Sequence, residues 1–287
     1  MKNHHLRFAA ALLLLNTSGC AMQQAPASTA QVSHQRLLPL EGGQNFRDIG
    51  GYAAAGGKTT RWGMIYRSGS MHGLTAHDFA ALEALGLHTI TDFRSTDERR
   101  AEPVVWPGMN GPKILTTDYR MNLAPVMQAF AKPGLTAEDA RTAMAELYRG
   151  IPFELAGQYR RMFAELVAGD APLAFNCSAG KDRTGIAAAL VLTVLGVDRE
   201  TVIADYLLSN EYYRPITKAL IATPQQASAM PVMAPDAASA LRGVERRYLE
   251  NAFAAIAARP GGMPAYLHQE MGLTDRDIAS LRARYLH

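Results

Sequence analysis

Cysteine is almost missing from this chain, with two among 287 residues, at positions 20 and 177. A framework of disulfides is therefore excluded, and any stable fold must rest on an apolar core. Long apolar runs are missing too. The longest, Phe8 to Leu15, has eight residues and is too short to span a bilayer. An excess of one charge is also absent: 29 basic against 26 acidic residues leave a formal charge of +3, with no basic run to grip a polyanion. Nucleic acid is accordingly not expected as a partner. No internal repeat is visible, so a solenoid is excluded.

What is present divides into three stretches. Lys2, His4, His5 and Arg7 precede the short apolar run, and Thr17-Ser18-Gly19-Cys20 follows it. This pattern reads as a signal peptide over residues 1–19 with a lipobox, so membrane attachment through a lipidated Cys20 is expected. The competing expectation is ordinary cleavage after Ala21, giving a soluble periplasmic or secreted protein. Either way the chain reads as exported to the cell envelope, and Cys177 is left as the mature protein's only thiol. Residues 20–35 are small and polar without periodicity, which suits a flexible tether. Residues 36–287, drawn from a chain that is 48% hydrophobic, can form one sizeable domain.

Within that domain the informative stretch runs from Leu173 to Gly185, Leu-Ala-Phe-Asn-Cys-Ser-Ala-Gly-Lys-Asp-Arg-Thr-Gly. It reads as a short apolar strand, a turn of small and charged residues, and a helix starting near Arg183. A loop that opens a helix turns backbone N–H groups toward one point and makes an anion site. The same helix end favours a thiolate at Cys177. A nucleophile, an anion cradle and a fixed guanidinium within seven residues are the parts needed to attack a phosphate ester.

Elsewhere, strands are expected at 62–66, 87–93 and 113–116. Helices are expected at 75–85, 137–148, 153–168, 199–209, 237–258, 265–270 and 274–285. Thr75 with Asp78 has the spacing of a capping box, and Thr136 is a candidate N-cap after Pro133-Gly134. The helical stretch 124–151 reads as an insertion over the site. His88 is expected to be a strand residue without a catalytic role, and 223–235 a proline-rich loop.

The string Cys177-Ser-Ala-Gly-Lys-Asp-Arg-Thr-Gly resembles the loop of the cysteine-dependent protein tyrosine phosphatases, in particular a bacterial group with Lys-Asp before the arginine. Asn45 to Gly51, Tyr66 to Gly69, Asp92 to Ser95 with Glu98, Asp205 to Asn210, and Gly272 to Thr274 resemble the same group, so the likeness spans roughly 40–287. It implies a single α/β domain: a central, mostly parallel sheet flanked by helices, with a helical insertion and C-terminal helical additions. It also implies a phosphomonoester hydrolase that needs no cofactor or metal. The substrates would be phosphorylated proteins, phosphoinositides or small phosphates, with dual specificity open.

Site roles follow from that resemblance together with the chemistry. Cys177 attacks phosphorus. The backbone of Ser178, Ala179, Gly180 and Lys181 cradles the oxygens, Arg183 clamps them, and Thr184 assists departure of the thiolate. Asp182 is the implied general acid, with Asp118 as its rival. Lys181 meets a second phosphate or simply points into solvent, and Arg47, Asp48 and Arg94 line or brace the site. The family's usual histidine before the cysteine is replaced by Asn176. A rhodanese-like sulfurtransferase, or a phosphate-binding module with weak catalysis, are the alternatives.

Overall fold

The parallel strand that carries Cys177 sits at the middle of the sheet, and its neighbours on both sides end at the same level. A computed structural model describes residues 34–108, 111–214 and 234–287; the expected signal peptide, the tether up to residue 33 and most of the loop at 223–235 lie outside the described residues. The five-stranded sheet has the order β1 (Arg47–Asp48), β4 (Ile65–Ser68), β7 (Leu173–Asn176), β5 (Thr89–Asp92) and β6 (Lys113–Leu115). Only β1 runs antiparallel, and a separate two-stranded ribbon joins β2 (Ala53–Ala54) to β3 (Lys58–Thr59).

The register explains why the strands end together. Asn176 lies opposite Ser68 on one side and Asp92 on the other. The segments following β4, β5 and β7 therefore leave the sheet side by side at its carboxyl edge, where open α/β sheets build their sites. A parallel strand buried on both faces should read as continuously apolar. Leu173, Ala174 and Phe175 satisfy this, each fully buried. Leu173 and Phe175 face a large core shared with most of the helices. Ala174 faces a smaller one with Phe46, Tyr66, Leu82 and Ile90, closed by α1 (Ala76–Glu83).

Local signals in the sequence hold at several helix starts. Thr75 with Asp78, Ser95 with Glu98, Thr136 with Asp139 and Thr274 with Asp277 all form reciprocal capping boxes. They open α1, α2 (Thr96–Ala101), α4 (Ala137–Glu154) and the last helix, α12 (Asp275–Tyr285). A short α3 (Ala124–Phe130) precedes α4. Helix α4 runs past the expected Tyr148 and contains Pro152. Helix α5 (Ala156–Ala168) starts correspondingly later than expected. Helices α6 (Arg183–Leu195), α7 (Arg199–Leu207) and α8 (Ser209–Tyr212) follow β7. The insertion is a packed wall rather than a loose excursion, since Met144, Leu147, Tyr148 and Ile151 of α4 all belong to the main core.

One expected helix is two. The stretch 237–258 divides into α9 (Pro235–Arg242) and α10 (Arg246–Ala257), and α11 (Gly262–Gln269) follows. The break has a physical cause. Gly243 is extended, and the Asn210 side chain binds Val244 from both directions, accepting from its N–H and donating to its carbonyl at 2.8 Å each. That clamp takes up the backbone groups a continuous helix would have paired.

Gly180 marks the closest approach between β7's loop and β4. Its φ is +68°, and a Cβ there would lie 2.4 Å from the Gly69 nitrogen and 2.5 Å from the Ser68 carbonyl carbon. Replacing Gly180 with alanine should cost on the order of 2–3 kcal/mol, from left-handed strain plus the backbone shift. Urea unfolding would show this as a lower midpoint at unchanged slope. An unchanged midpoint would mean the loop has room that the backbone spacing denies.

Candidate active site

Between β7 and α6 the chain turns through Cys177 to Asp182 with its carbonyls bonded outward. Ser178 C=O accepts from the Ser70 amide (2.9 Å), Ala179 C=O from Asn45 Nδ2 (3.2 Å), and Gly180 C=O from both Asn45 Nδ2 (2.9 Å) and Arg67 Nη2 (3.0 Å). The amides from Ser178 to Arg183 donate to no protein acceptor among the described residues. A loop whose carbonyls are pulled out and whose N–H groups are left over is a nest for an anion, and the positive end of α6 reinforces it. Cys177, which opens this loop, is buried.

Arg183 is held by a residue given no role from sequence. Glu98 accepts from Arg183 Nη1 at 2.6 Å and Nη2 at 2.7 Å, a two-pronged pair, and also from Ser178 Oγ at 2.6 Å and the Ser95 amide at 2.7 Å. Burial alone would raise the Glu98 carboxyl. The bonds and charge of Arg183, helped by Ser178 and Ser95, outweigh that and hold it down to about 2. Tyr119 Oη accepts from Arg183 Nη1 (3.0 Å) and donates to the Phe93 carbonyl (2.5 Å). Arg183 Nε and Thr184 Oγ1 are buried without a partner among the described residues. Both belong to residues assigned to the reacting group. The signal for Glu98 was its capping-box spacing from Ser95, which puts it at the start of α2.

The two candidate acids differ in setting. Asp182 Oδ1 accepts from Tyr148 Oη (2.6 Å) and Lys181 Nζ (2.8 Å). Asp118 is 85% exposed in its side chain and accepts from Arg99 Nη2 (2.5 Å) and Thr96 Oγ1 (3.1 Å). It stands beside Tyr119 but faces Arg99 on the outside of α2.

One expectation is corrected, that for the Lys181 side chain, and the expected choice between lining and bracing is resolved for Arg47, Asp48 and Arg94. Lys181 neither reaches outward nor points into solvent: it is buried, with Nζ on Asp182 and 3.3–3.4 Å from the carbonyls of Gly243 and Leu241. Those carbonyls, at the end of α9, take up the ammonium. Arg47 does not line the site either. Fully buried, it bonds the Asp205 side chain (3.3 Å) and carbonyl (2.9 Å), Ser209 Oγ (3.2 Å) and Asn45 Oδ1. Asp48 accepts from the amides of Gly50 (2.7 Å) and Gly63 (2.6 Å) and shapes that loop; burial pushes its carboxyl up. Arg94 pairs with Asp92 (2.7 Å) and bonds Ser70 Oγ and the Glu102 carbonyl. It borders a cavity of about 250 Å³ that also touches Asn176 and Trp106 but not Cys177 or Arg183. Of these residues, Arg47 braces the loop indirectly through Asn45, and Arg94 does so through Asp92 and Asn176. Arg67, assigned no role from sequence, braces it directly through Gly180 and shares Asp205 with Arg47, with Arg67 Nη1 2.6 Å from Oδ2.

Residues 38–287 match the tyrosine phosphatase family. A protein named as a tyrosine-protein phosphatase from Cupriavidus necator is 33% identical, over 95% of this chain and 98% of its own. The triple specificity protein phosphatase PtpB of Mycobacterium tuberculosis is 31% identical over 85% of this chain and 96% of its own. A crystal structure of TpbA from P. aeruginosa is 18% identical and covers 71% of this chain and 97% of that one, with a TM-score of 0.29. The named relatives are phosphatases, which lends no support to a sulfurtransferase or a binding module.

Glu98 and Asp205 also set an expected acid response. Burial raises Asp205, but the charges of Arg47 and Arg67 bring it down to about 2, below its usual 3.8; Glu98 falls from 4.5 to about 2. Both folded values lie below the unfolded ones. Their stabilisation is therefore complete above about pH 4.5 and lost as pH falls toward 2, on the order of 2 kcal/mol for Asp205. Urea unfolding across pH 2–5 should show the slope, and Asp205→Asn should flatten it while lowering stability throughout. An unaltered slope in that variant would remove Asp205 from the account.

Proposed function

The chain belongs to the tyrosine phosphatase family, and from that premise we propose that it hydrolyses phosphomonoesters through a phosphocysteine at Cys177, with Asp182 as the general acid. The carrying observation is the nest of free amides closed by the Glu98-clamped Arg183, directly beside Cys177.

The Cys177 thiolate attacks phosphorus in line with the ester oxygen. As the P–S bond forms, the amides of Ser178 to Arg183 receive the three equatorial oxygens, and Arg183 offers its free Nε with the Nη2 edge. The P–O bond breaks, and the leaving oxygen takes a proton from Asp182. A water then attacks the phosphocysteine, gives its proton to the Asp182 carboxylate, and the P–S bond breaks. Thr184 Oγ1, buried and without a protein partner among the described residues, can donate to the departing thiolate. Splitting the displacement in two is the contribution of nucleophilic catalysis.

Both acids have an Oδ2 without a hydrogen bond among the described residues, and Asp182 is favoured because it lies in the loop between Cys177 and Arg183, whereas Asp118 is exposed and held outward by Arg99. The relatives' names support phosphotyrosine as substrate, and the name of PtpB supports activity on further phosphoester types. Phosphoinositides are a further substrate class proposed from the loop's resemblance alone.

Hydrolysis of p-nitrophenyl phosphate in the presence of a chelator tests the reading. Cys177→Ser should abolish turnover while keeping phosphate-analogue binding. Asp182→Asn should lower kcat by about 10²–10³-fold and remove the fall in rate on the alkaline side of the pH profile. The same behaviour from Asp118→Asn, with Asp182→Asn near wild type, would transfer the role of acid to Asp118. Failure of the wild type to cleave any phosphomonoester would sink the reading as a whole.

A further inference from the structure

Asp182 occupies the N-cap position of α6 yet makes no capping bond. An aspartate there ordinarily accepts from the second or third amide of its helix. Here the carboxylate is turned away from α6, and something outside the loop must hold it. The partners are Lys181, its neighbour in the loop, and Tyr148, which arrives 34 residues earlier in the chain on α4.

Tyr148 does not act alone. Its hydroxyl donates to Asp182 Oδ1 at 2.6 Å and accepts from Tyr206 Oη of α7 at 2.8 Å. Both tyrosines are fully buried, and their rings meet edge to face with centroids 6.1 Å apart. A buried hydroxyl that itself receives a hydrogen bond is a stronger donor, because chained bonds polarise one another. Burial, with the charge of Asp182 next, pushes the Tyr148 phenol well above its usual range, so it remains a neutral donor wherever the enzyme works.

We propose that Tyr148, backed by Tyr206, is the positioning residue for Asp182: it binds Oδ1 so that Oδ2 is the oxygen that delivers and recovers the proton. The proposal rests on Asp182 being the acid. In the first step Asp182 gives its proton from Oδ2 to the leaving oxygen and becomes a carboxylate. The charge that develops is met at Oδ1 by the Tyr148 hydroxyl and the Lys181 ammonium, both already in place, so no group has to move to receive it. In the second step the proton of the attacking water returns to Oδ2. The other groups that feel the Asp182 charge are Tyr206 on α7, Tyr248 on α10, and Tyr213 after α8 with Arg242 close by. Across the loop stand Cys177 and Arg183. The tyrosines stay neutral at working pH, which leaves Lys181 and Tyr148 as the groups bonded to the carboxylate.

A leaving-group comparison separates positioning from general support of the fold. A good leaving group such as p-nitrophenolate depends on protonation less than phenolate does, and an alkoxide depends on it most. Tyr148→Phe keeps the ring and removes only the hydroxyl. It should lower kcat/KM for phenyl phosphate about tenfold more than for p-nitrophenyl phosphate, the weight of one hydrogen bond to a charged group. It should also move the alkaline fall of the profile to higher pH, because the carboxylate has lost a donor. Tyr206→Phe should show the same pattern more weakly. In an Asp182→Asn background Tyr148→Phe should add no leaving-group-dependent loss, while vanadate affinity stays at the wild-type value. Equal losses on both substrates, or the same differential surviving without Asp182, would overturn the proposal. A normal response to leaving group in Asp182→Asn itself would instead overturn the acid, and the proposal with it.

Discussion

Beneath the loop, two arginines share one carboxylate. Arg47 and Arg67, both fully buried, meet Asp205 in the core, and other donors of the pair reach Ser209, Asn45 and the Gly180 carbonyl. Burying three charges is expensive, and a cluster of this kind is poor ground for claiming extra stability. What it supplies is direction. Asn45, held by Arg47, and Arg67 itself draw the carbonyls of Ala179 and Gly180 downward, so that the amides of the same peptides face the other way. Burial and the charge of Arg67 bring the Arg47 guanidinium down only to about 10, so it stays charged and the cluster carries a net positive charge.

That surplus is telling because three cations bordering the loop are each matched. Arg183 is paired with Glu98, Lys181 with Asp182 and Arg94 with Asp92. The side chains of these three are committed before a phosphate arrives. The site presents directed N–H groups at the start of a helix, a guanidinium held at a fixed angle, and a buried positive charge behind them. Each pairing restricts a long side chain before any substrate arrives, which lowers the ordering cost that binding would otherwise meet.

This also explains which parts of the site were legible in the sequence. The loop, its helix, the Thr75–Asp78 capping box and the Thr136 cap are local, written within a few residues of each other, and they were readable. Arg47 and Asp205 are 158 residues apart, and nothing in the periodicity of either segment says that they meet. Lys181 looks like a rim residue in any linear reading. Its burial depends on the carbonyls that the break at Gly243 turns toward it, and that break depends on Asn210 clamping Val244. Glu98 stands at capping-box spacing from Ser95, a signal the linear reading did not use, and its bond to Arg183 exists only because β5 lies next to β7 in the sheet. Local chemistry was legible; partnership across the sheet was not.

Asn176 fits this picture better than it fits the linear motif. Its amide donates to Asp92 Oδ1 at 3.2 Å, and Asp92 is in turn held by Arg94, so the residue before Cys177 ties the end of β7 to the end of β5. A neutral amide can make that tie without bringing a charge under the thiolate. On the β5 side the loop is then fixed by Asn176–Asp92 and by Glu98 with Arg183 and Ser178. On the β4 side it is fixed by Asn45 and Arg67 on Gly180. With both edges pinned, the cradle has little freedom left to respond to a substrate. Asp182 is different: it is attached through its side chain to α4, a helix outside the sheet, and to its neighbour Lys181. With Asp182 as the proposed acid, the fold separates the two tasks of the reaction, with anion binding set by the strand ends and proton delivery set by the inserted helix. Changes in α4 can retune the acid without disturbing the nest that holds the phosphate.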